Sequence, residues 1–336
     1  MPERESRAAA MRLISAAWES QCVRVAVELG ILDLLGDGPM TGAELAAATE
    51  ADGPHLGRLL RALVTLEVLE AGDGGRFALA PTGVALRSDA LGPAALFFAC
   101  DVQWQNWGAL SHCVLTGERA FDHVQGMRNW DYYAAHPEMG ALFDAAMAAM
   151  TSGAGSAIVA AYDFGRHGRV VDVGGGDGTL MAEILGANPG VRGVLMDREH
   201  VVERARPGLE AAGVLARCEL FAGDFSDGVP PGGDAYVLKS VLHDWADAEA
   251  AALLGRCRSA MAPAGAVVVV ERVVPERVSA ADRAAVLSDL NMMVNNGGRE
   301  RTEREFAALG AAAGLRLART LPTETPFSVL ELVADA

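Results

Sequence analysis

The chain has 336 residues, 51% hydrophobic and 21% charged, which supports a sizeable folded core and predicts two domains or one large domain with an appendage. Asp and Glu number 44 against 28 Lys and Arg, and the formal charge of −16 argues against a protein that binds polynucleotides or anionic membrane surfaces through basic residues. No stretch approaches the roughly 20 apolar residues that span a bilayer.

The cysteines and the N-terminus predict a cytoplasmic protein. The five cysteines are scattered and form no C-x-x-C pair, which is typical of reduced thiols and not of a zinc site or a disulfide framework. The chain begins without a basic and then apolar leader of the kind that directs secretion. We therefore expect no membrane association and a cytoplasmic location.

The first part of the chain has the pattern of a winged helix. Residues 21–35 are predicted to form an amphipathic helix. Thr41 and Glu44 have the spacing of a capping box at the start of a second helix, and a leucine-rich third helix follows. The glycine-rich turn at 72–75 lies between two short strand patterns, which indicates a β-hairpin.

The charge of this part argues for a protein partner. Residues 20–90 contain five arginines, no lysine and ten acidic side chains, whereas a helix that reads DNA normally carries a basic stripe. We expect residues 1–95 to form a dimerisation domain that packs against a second copy of the chain. A winged-helix transcription regulator with a ligand-sensing domain is the alternative from another functional class.

The second half has an α/β pattern. Residues 96–160 are predicted to be helical and aromatic, forming a connecting segment and an acceptor-pocket wall before a catalytic domain over 161–336. Strands alternate with helices, which predicts a mostly parallel, Rossmann-like sheet with helices on both faces. The predicted strands cover 169–173, 192–196, 217–221, 234–238 and 266–271, with an antiparallel hairpin at 315–320 and 327–334, and helical stretches include 179–187 and 247–261.

A glycine-rich loop follows the first strand of this sheet. Gly174 and Gly176 lie between a buried strand and a helix, where glycines let the backbone approach a ligand. Asp197 ends the next strand and is placed to bind ribose hydroxyls. A P-loop would require a lysine followed by Ser or Thr, which this loop lacks, so we do not expect phosphoryl transfer. A nicotinamide dehydrogenase is the nearest competitor, but Asp172 before the loop suits a cationic amino-acid group better than a pyrophosphate.

Four motifs in order resemble a known family: VVDVGGGDGTL at 170–180, GDF at 223–225, KSVLHDW at 239–245 and GGRERT at 297–302. They are similar to the motifs of S-adenosylmethionine-dependent O-methyltransferases of the caffeic-acid and hydroxyindole type. The resemblance covers nearly the whole chain, because that family also begins with a winged-helix dimerisation domain. It implies S-adenosylmethionine as cofactor, a homodimer and a small aromatic substrate.

The resemblance also implies the cofactor site. The glycine loop would contact the amino-acid end of the cofactor, and other matched residues would bind the ribose, the adenine and the carboxylate end. The implied cofactor-binding residues are Gly174, Gly176, Asp197, Asp224, Phe225, Lys239, Thr151 and Trp245. Two departures are Arg198-Glu199, where the family often has Leu-Pro, and Ser226, where an aromatic residue is frequent.

The predicted chemistry is proton removal during methyl transfer. A phenol has a pKa near 10, and a histidine is suited to take its proton. His243 follows the fourth strand and Glu271 ends the fifth at the same edge of the sheet. By resemblance, His243 is the general base, and Glu271 and Glu300 flank and orient it.

Structural interpretations of the same residues remain open. His243 could cap the helix that follows it, and Asp244 could be an acid in the first turn of that helix. Glu300 could belong to a solvated ion cluster, because arginines 299, 301 and 304 surround it in the sequence. Glu271 is harder to explain as structure, since a carboxylate that closes a run of valines needs a partner.

A metal-dependent route would use oxygen ligands such as Asp289, Asn291, Asn295 and Asn296. Their order and spacing follow the metal-independent family, so we expect no metal. The expected reaction is methylation of a hydroxyl, phenolic in the leading interpretation, in secondary-metabolite biosynthesis, with N- or C-methylation or non-methyl chemistry on the same fold as alternatives. The candidate acceptor-contacting residues are Trp104, Trp130, Phe143, Met147 and Met293.

Overall fold

The computed structural model describes residues 2–335 and divides them into two compact units. The first contains the chain up to Gly108 together with Tyr133–Met150, and the second contains Ala109–Tyr132 and the chain from Thr151 onward. These boundaries differ from the expected segments 1–95, 96–160 and 161–336, because the middle segment is divided between both units. Residues 1 and 336 of those expected segments lie outside the described part.

The α-helices of the described residues are mostly short before residue 137 and longer after it. Their bounds are α1 Pro2–Glu28, α2 Ile31–Leu34, α3 Gly42–Ala48, α4 Gly53–Thr65, α5 Pro81–Ala85, α6 Gly92–Phe98, α7 Asp101–Gly108, α8 Leu110–Thr116, α9 Ala120–Gln125, α10 Asn129–Ala135, α11 Pro137–Thr151, α12 Ala154–Ala161, α13 Thr179–Ala187, α14 Glu199–Ala211, α15 Asp247–Ala260, α16 Arg283–Asn295 and α17 Glu303–Ala312.

The strands form two sheets. Their bounds are β1 Met40–Thr41, β2 Leu69–Ala71, β3 Arg76–Leu79, β4 Arg169–Val173, β5 Arg192–Asp197, β6 Cys218–Ala222, β7 Ala235–Lys239, β8 Ala266–Glu271, β9 Leu315–Pro322 and β10 Ser328–Ala334.

The first unit contains the expected winged-helix elements. The β2–β3 hairpin forms a small sheet in the order β1-β3-β2. The capping box is present, since Thr41 Oγ1 accepts from the Glu44 amide at 3.2 Å and Glu44 Oε2 accepts from the Thr41 amide at 2.7 Å. The predicted helix at 21–35 is wrong as a single element, because the chain turns at Gly30 (φ 68°) between α1 and α2.

The large sheet of the second unit has the order β6-β5-β4-β7-β8-β10-β9. The strands from β6 to β8 are parallel, whereas β10 is antiparallel to both β8 and β9. This confirms the predicted mostly parallel sheet with a terminal hairpin. The carboxyl ends of β4, β5, β7 and β8 therefore lie along one edge, where open α/β sheets bind ligands.

Both faces of this sheet are covered by helices. Side chains of α12, α13 and α14 pack on one face, and side chains of α15 and α17 pack on the other. Every residue of β8 is buried, which explains its unbroken run of valines. The same strand ends with Glu271, whose carboxylate is fully buried at a cost in folding free energy.

Between residues 2 and 335, no individual helix has the length and apolar composition needed to cross a bilayer. The bent pair α11 and α12 meets that test only when its two helices are taken together.

Candidate active site

The glycine loop and Asp197 are joined at the sheet edge. Gly174 and Gly176 have φ values of 71° and 59°, a left-handed conformation that favours glycine. The Gly174 amide donates to the carbonyl of Met196 at 2.8 Å, and the Gly176 amide donates to Asp197 Oδ2 at 2.9 Å. The structure therefore brings these three predicted cofactor residues together.

A second group of predicted residues lies after β6 and β7. The rings of Phe225 and Trp245 meet edge to face, with centroids 5.6 Å apart. Asp224 Oδ1 accepts from the Ser226 amide at 2.8 Å, and this hydrogen bond holds the pKa of Asp224 below its usual value. An aromatic wall beside a carboxylate suits an adenine, which offers a flat face and an amino group.

Lys239 and Thr151 are less constrained by the described contacts. Lys239 is the last residue of β7, and its Nζ lies 5.7 Å from the centre of the Phe327 ring. Burial lowers the pKa of Lys239 despite the nearby carboxylates. Thr151 ends α11, and its role toward a cofactor stays a prediction.

His243 lies in a short 3-10 turn at Leu242–Asp244, directly after β7. Ser240 enters this turn with φ 55°, a strained conformation for a residue with a side chain. Glu271 Oε1 accepts three amides of the turn, those of residues 241, 242 and 243, at 3.0, 2.9 and 3.3 Å. One buried carboxylate oxygen thus fixes the backbone that carries the histidine.

The imidazole is held between two carboxylates. Nδ1 of His243 lies 3.2 Å from Glu271 Oε2 and 3.3 Å from Glu300 Oε1. Burial lowers the pKa of His243, but the surrounding carboxylates, Glu271 most strongly, outweigh burial and raise the pKa to about 10. Burial also raises the pKa of Glu271, to about 7, against the attraction of the imidazolium.

Glu300 reaches His243 from the loop after α16. Its Oε1 accepts from Ser288 Oγ at 2.7 Å, and its amide donates to Asp289 Oδ1 at 2.9 Å. Burial acts to raise the pKa of Glu300, but contact with the imidazolium brings it below the usual value. Because Glu300 is buried, the solvated ion cluster considered for it is wrong.

Two other structural interpretations are also wrong. Helix α15 begins at Asp247 with Ala246 as its N-cap, so His243 does not cap it and Asp244 is outside its first turn. Asp244 Oδ1 instead lies 3.6 Å from His243 Nε2 and accepts from Asn296 Nδ2. Burial raises the pKa of Asp244.

Sequence reasoning assigned no role to Arg301, which is 1% exposed. Its guanidinium donates to the carbonyls of Leu242 and Trp245, both at 2.8 Å, and pairs with Asp247 at 2.8 Å. Gly298 packs against the same turn, where an added Cβ would overlap the carbonyl oxygen of His243. The GGRERT motif indicated that this loop matters. Its contacts with the Leu242–Asp244 turn, however, form only in the tertiary fold and could not be predicted from the sequence.

A cavity of about 550 Å³ opens beside Asp244, within the size range of small-molecule sites. Its wall is formed by the segment 117–130, by residues in and directly after the Leu242–Asp244 turn, and by the loop after α16. The lining residues are Gly117, Glu118, Arg119, Asp122, His123, Arg128, Trp130, Asp244, Trp245, Ala246, Glu249, Asn296 and Gly297.

The predicted acceptor residues fall in both units. Trp130 lines the cavity, and the Arg198 guanidinium lies 5.8 Å from the centre of its ring. Met293 is half-buried in α16 of the same unit. Phe143 stacks on Tyr133 within the first unit, which also contains the predicted residues Trp104 and Met147.

The His243, Glu271 and Glu300 donors lie within 4.8 Å of one another and have the composition of a divalent-cation site. One oxygen of Glu271 is already used by three amides, and one of Glu300 accepts from Ser288. Among the oxygen-bearing residues weighed as metal ligands, Asp289 holds Glu300, Asn296 holds Asp244, and Asn295 donates to Asn291.

Comparison with known proteins supplies the family. Residues 107–316 match an O-methyltransferase domain, and residues 11–89 match an O-methyltransferase dimerisation domain. The chain is 41% identical to an O-demethylpuromycin-O-methyltransferase of Streptomyces alboniger, covering 95% of this chain and 88% of that one. It is 38% identical, over 90% and 88%, to an 8-amino-8-demethylriboflavin N,N-dimethyltransferase of Streptomyces davaonensis.

A solved structure shows the cofactor in a relative. The chain resembles an O-methyltransferase (NcsB1) of neocarzinostatin biosynthesis in complex with S-adenosylmethionine and 2-hydroxy-5-methyl naphthoic acid, with a TM-score of 0.78, 31% identity and coverage of 94% and 96%. The glycine loop, Asp197 and the Phe225–Trp245 pair are the residues that the sequence predicts to contact this cofactor. The chain therefore belongs to the S-adenosylmethionine-dependent O-methyltransferases that carry a dimerisation domain.

Proposed function

We propose that the protein methylates a phenolic hydroxyl of an aromatic natural-product intermediate, without a metal ion, and that His243 is the general base. The main observation in support of this proposal is the arrangement of groups around the His243 imidazole. Both Glu271 and Glu300 face Nδ1, so Nε2 is the nitrogen that remains for the acceptor. Nε2 points toward Asp244, which lines the cavity.

The residues of the sheet edge hold the cofactor in this proposal. The glycine loop takes its amino-acid end, Asp197 its ribose, and Asp224 and Phe225 its adenine, with Trp245 against Phe225. When bound, S-adenosylmethionine supplies an electrophilic methyl group. The work left to the protein is to orient the acceptor, exclude water and remove the hydroxyl proton.

His243 Nε2 takes the proton from the acceptor oxygen. The two carboxylates at Nδ1 keep the ring oriented and stabilise the imidazolium that forms. The same carboxylates raise the pKa of His243 to about 10, so the resting imidazole is protonated at neutral pH. Only its neutral form can act as base, and the rate is therefore expected to rise with pH.

The first experiment measures transfer of an isotope-labelled methyl group from S-adenosylmethionine to a panel of phenols and hydroxylated polyketides. Wild type is expected to form a labelled ether, and His243→Ala to reduce kcat by about 10² or more. His55→Ala is the matched control, because that exposed histidine lies in the first unit and has no role in the proposal. Transfer that survives in His243→Ala would remove His243 from the mechanism.

Metal independence is tested in the same assay. The rate is expected to be unchanged after dialysis against EDTA, since the proton is taken by an imidazole. Loss of the rate in EDTA with recovery on adding Mg²⁺ or Zn²⁺ would contradict this part of the proposal and assign the three-residue cluster to a metal.

N-methylation is the second candidate, because the similar riboflavin-type relative is named as an N,N-dimethyltransferase. An aromatic amine with a low pKa is already neutral and needs no base to act as a nucleophile. A histidine base oriented by two carboxylates therefore favours a hydroxyl acceptor. Matched phenol and aniline acceptors separate the two reactions. Faster labelling of anilines, insensitive to His243→Ala, would favour N-methylation.

We infer that the enzyme works as a homodimer in the cytoplasm. Helix α1 exposes four large apolar side chains, which a second copy would cover. They are Met11, Leu13, Ile14 and Trp18. The five cysteines are free thiols, which suits a reducing compartment.

A further inference from the structure

Two cations meet over one buried ring at the carboxyl edge of the large sheet. Lys239 ends β7, and Arg272 follows the last residue of the neighbouring strand β8. The guanidinium carbon of Arg272 lies 5.0 Å from the centre of the Phe327 ring, and Lys239 Nζ lies 5.7 Å from the same centre. Both cations therefore lie within the distance of a cation–π interaction with one aromatic ring.

The ring is a rigid support. Phe327 is 4% exposed and belongs to the core on the same face of the sheet as Val270. Its carbonyl accepts from Thr323 Oγ1 at 2.7 Å, and its amide donates to Thr325 Oγ1 at 3.3 Å. These bonds close the loop between β9 and β10, so the position under the two cations is fixed before any ligand binds.

Neither cation has a carboxylate in direct contact among the described residues. Within residues 2–335, the side chains of Lys239 and Arg272 make neither a hydrogen bond nor an ion pair, although both are partly buried. Asp172 is the carboxylate that acts most strongly on the charge of Lys239. The charge of Arg272 adds to burial in lowering the pKa of Lys239. Partly buried cations without a directly contacting carboxylate are costly, so the arrangement favours binding of an anion.

A buried acid lies one strand away. Asp172 is buried in β4, the neighbour of β7, and its Oδ2 has no hydrogen-bond partner. Strand alternation puts Asp172, Lys239 and Arg272 on one face of the sheet, and Glu271 on the other. A row of one acid and two cations matches the ammonium and carboxylate of an amino acid.

We propose that Arg272, supported on Phe327, is a further cofactor-binding residue that receives the α-carboxylate of the amino-acid end of S-adenosylmethionine, beside Lys239 and with Asp172 facing the ammonium. This rests on the proposed function. The base His243 and Glu271 lie on the other face of the sheet, which favours the cofactor over an acceptor carboxylate as the source of the anion.

The test is equilibrium binding by calorimetry, which needs no acceptor. Two ligands are compared: S-adenosylhomocysteine, which has the amino-acid end, and 5′-methylthioadenosine, which lacks it. Arg272→Gln is expected to raise the Kd of S-adenosylhomocysteine about 10-fold or more and to leave that of 5′-methylthioadenosine within about twofold, because a charged hydrogen bond is lost only with the first ligand. Arg272→Lys should recover part of the loss, and Arg277→Gln, an exposed arginine of the same segment, should change neither Kd.

Three results would overturn the proposal. An unchanged Kd for S-adenosylhomocysteine removes Arg272 from the cofactor site, and equal weakening of both ligands assigns it a structural role. An unchanged Kd together with loss of preference for benzoates over matching phenols assigns the carboxylate to the acceptor. If wild type binds neither ligand, the cofactor assignment itself fails, which separates that failure from failure at Arg272.

Discussion

At the scale of single residues, the protonation of His243 is the property that the site controls most directly. The imidazole has acidic groups at both nitrogens, with Glu271 and Glu300 at Nδ1 and Asp244 near Nε2. Together they favour the protonated ring, whereas the proposed mechanism needs the neutral one. The carboxylates thus improve orientation and lower the fraction of active base at neutral pH.

Glu300→Gln tests this relation. Removing a negative charge beside Nδ1 lowers the pKa of His243, so the rising limb of kcat against pH should move to lower pH by about 1 pH unit. The measurement is the pH profile of kcat at saturating substrates for wild type and variant. Glu303→Gln, an exposed acid three residues along, should leave the profile unchanged.

A shift of the Glu300→Gln limb to higher pH would contradict the assignment. So would an unchanged limb with a lower kcat, since that result indicates that Glu300 orients the ring without setting its charge.

At the scale of elements, the loop after α16 stabilises the turn that carries the base. Asn296 contacts Asp244, Gly298 packs on the backbone, Glu300 faces the imidazole, and Arg301 binds two carbonyls of the turn. The turn itself makes few backbone bonds of its own. Its conformation therefore depends on this loop and on Glu271.

Arg301→Met is expected to lower the free energy of unfolding by about 2–4 kcal/mol, because it leaves two carbonyls of the turn without their donor. Urea denaturation followed by circular dichroism measures the change. Arg304→Met removes a highly exposed arginine from the same region and should leave the free energy of unfolding close to that of wild type. Equal losses of unfolding free energy in the two variants would show that the contacts of Arg301 with the turn add no stability.

The sequence predicted most elements of the second unit and the residues that meet in its site. The β-branched runs and the glycine loop are local signals, so the seven strands followed from them, as did the positions of Gly176 and Asp197 after the ends of their strands. The clamp by Arg301 and the position of Arg272 over Phe327 join distant segments, and no periodicity encodes such contacts. The break at Gly30 was missed because the apolar spacing continues across it.

At the scale of the whole molecule, the division into two units revises the role of the middle segment. Ala109–Tyr132 belongs with the catalytic sheet, where it supplies the cavity wall, and Tyr133–Met150 belongs with the first unit. The sequence texture is helical throughout this region, which is why pattern alone could not divide it.

Trp18→Glu tests the assembly at this scale. Trp18 is 67% exposed on α1, and a carboxylate in a self-complementary apolar contact would be repeated at each copy. Light scattering after gel filtration should give twice the 35.0 kDa chain mass for wild type and a shift toward the monomer for the variant. Val278→Glu changes an exposed apolar residue of the second unit and should leave the dimer intact. A variant that stays dimeric would place the interface elsewhere.

The cavity wall contacts the loop after α16, and this contact has a consequence for how the acceptor preference of such an enzyme can change. The wall segment 117–130 reaches Asn296 through Arg119 and Asn129, at 3.1 and 3.3 Å. No described contact joins the lining side chains of Glu118, His123 or Arg128 to the turn that carries His243. A mutant library confined to that segment, sparing residues 119 and 129, should therefore yield altered acceptor preferences among folded enzymes, whereas one spread over 296–301 should yield mainly inactive ones.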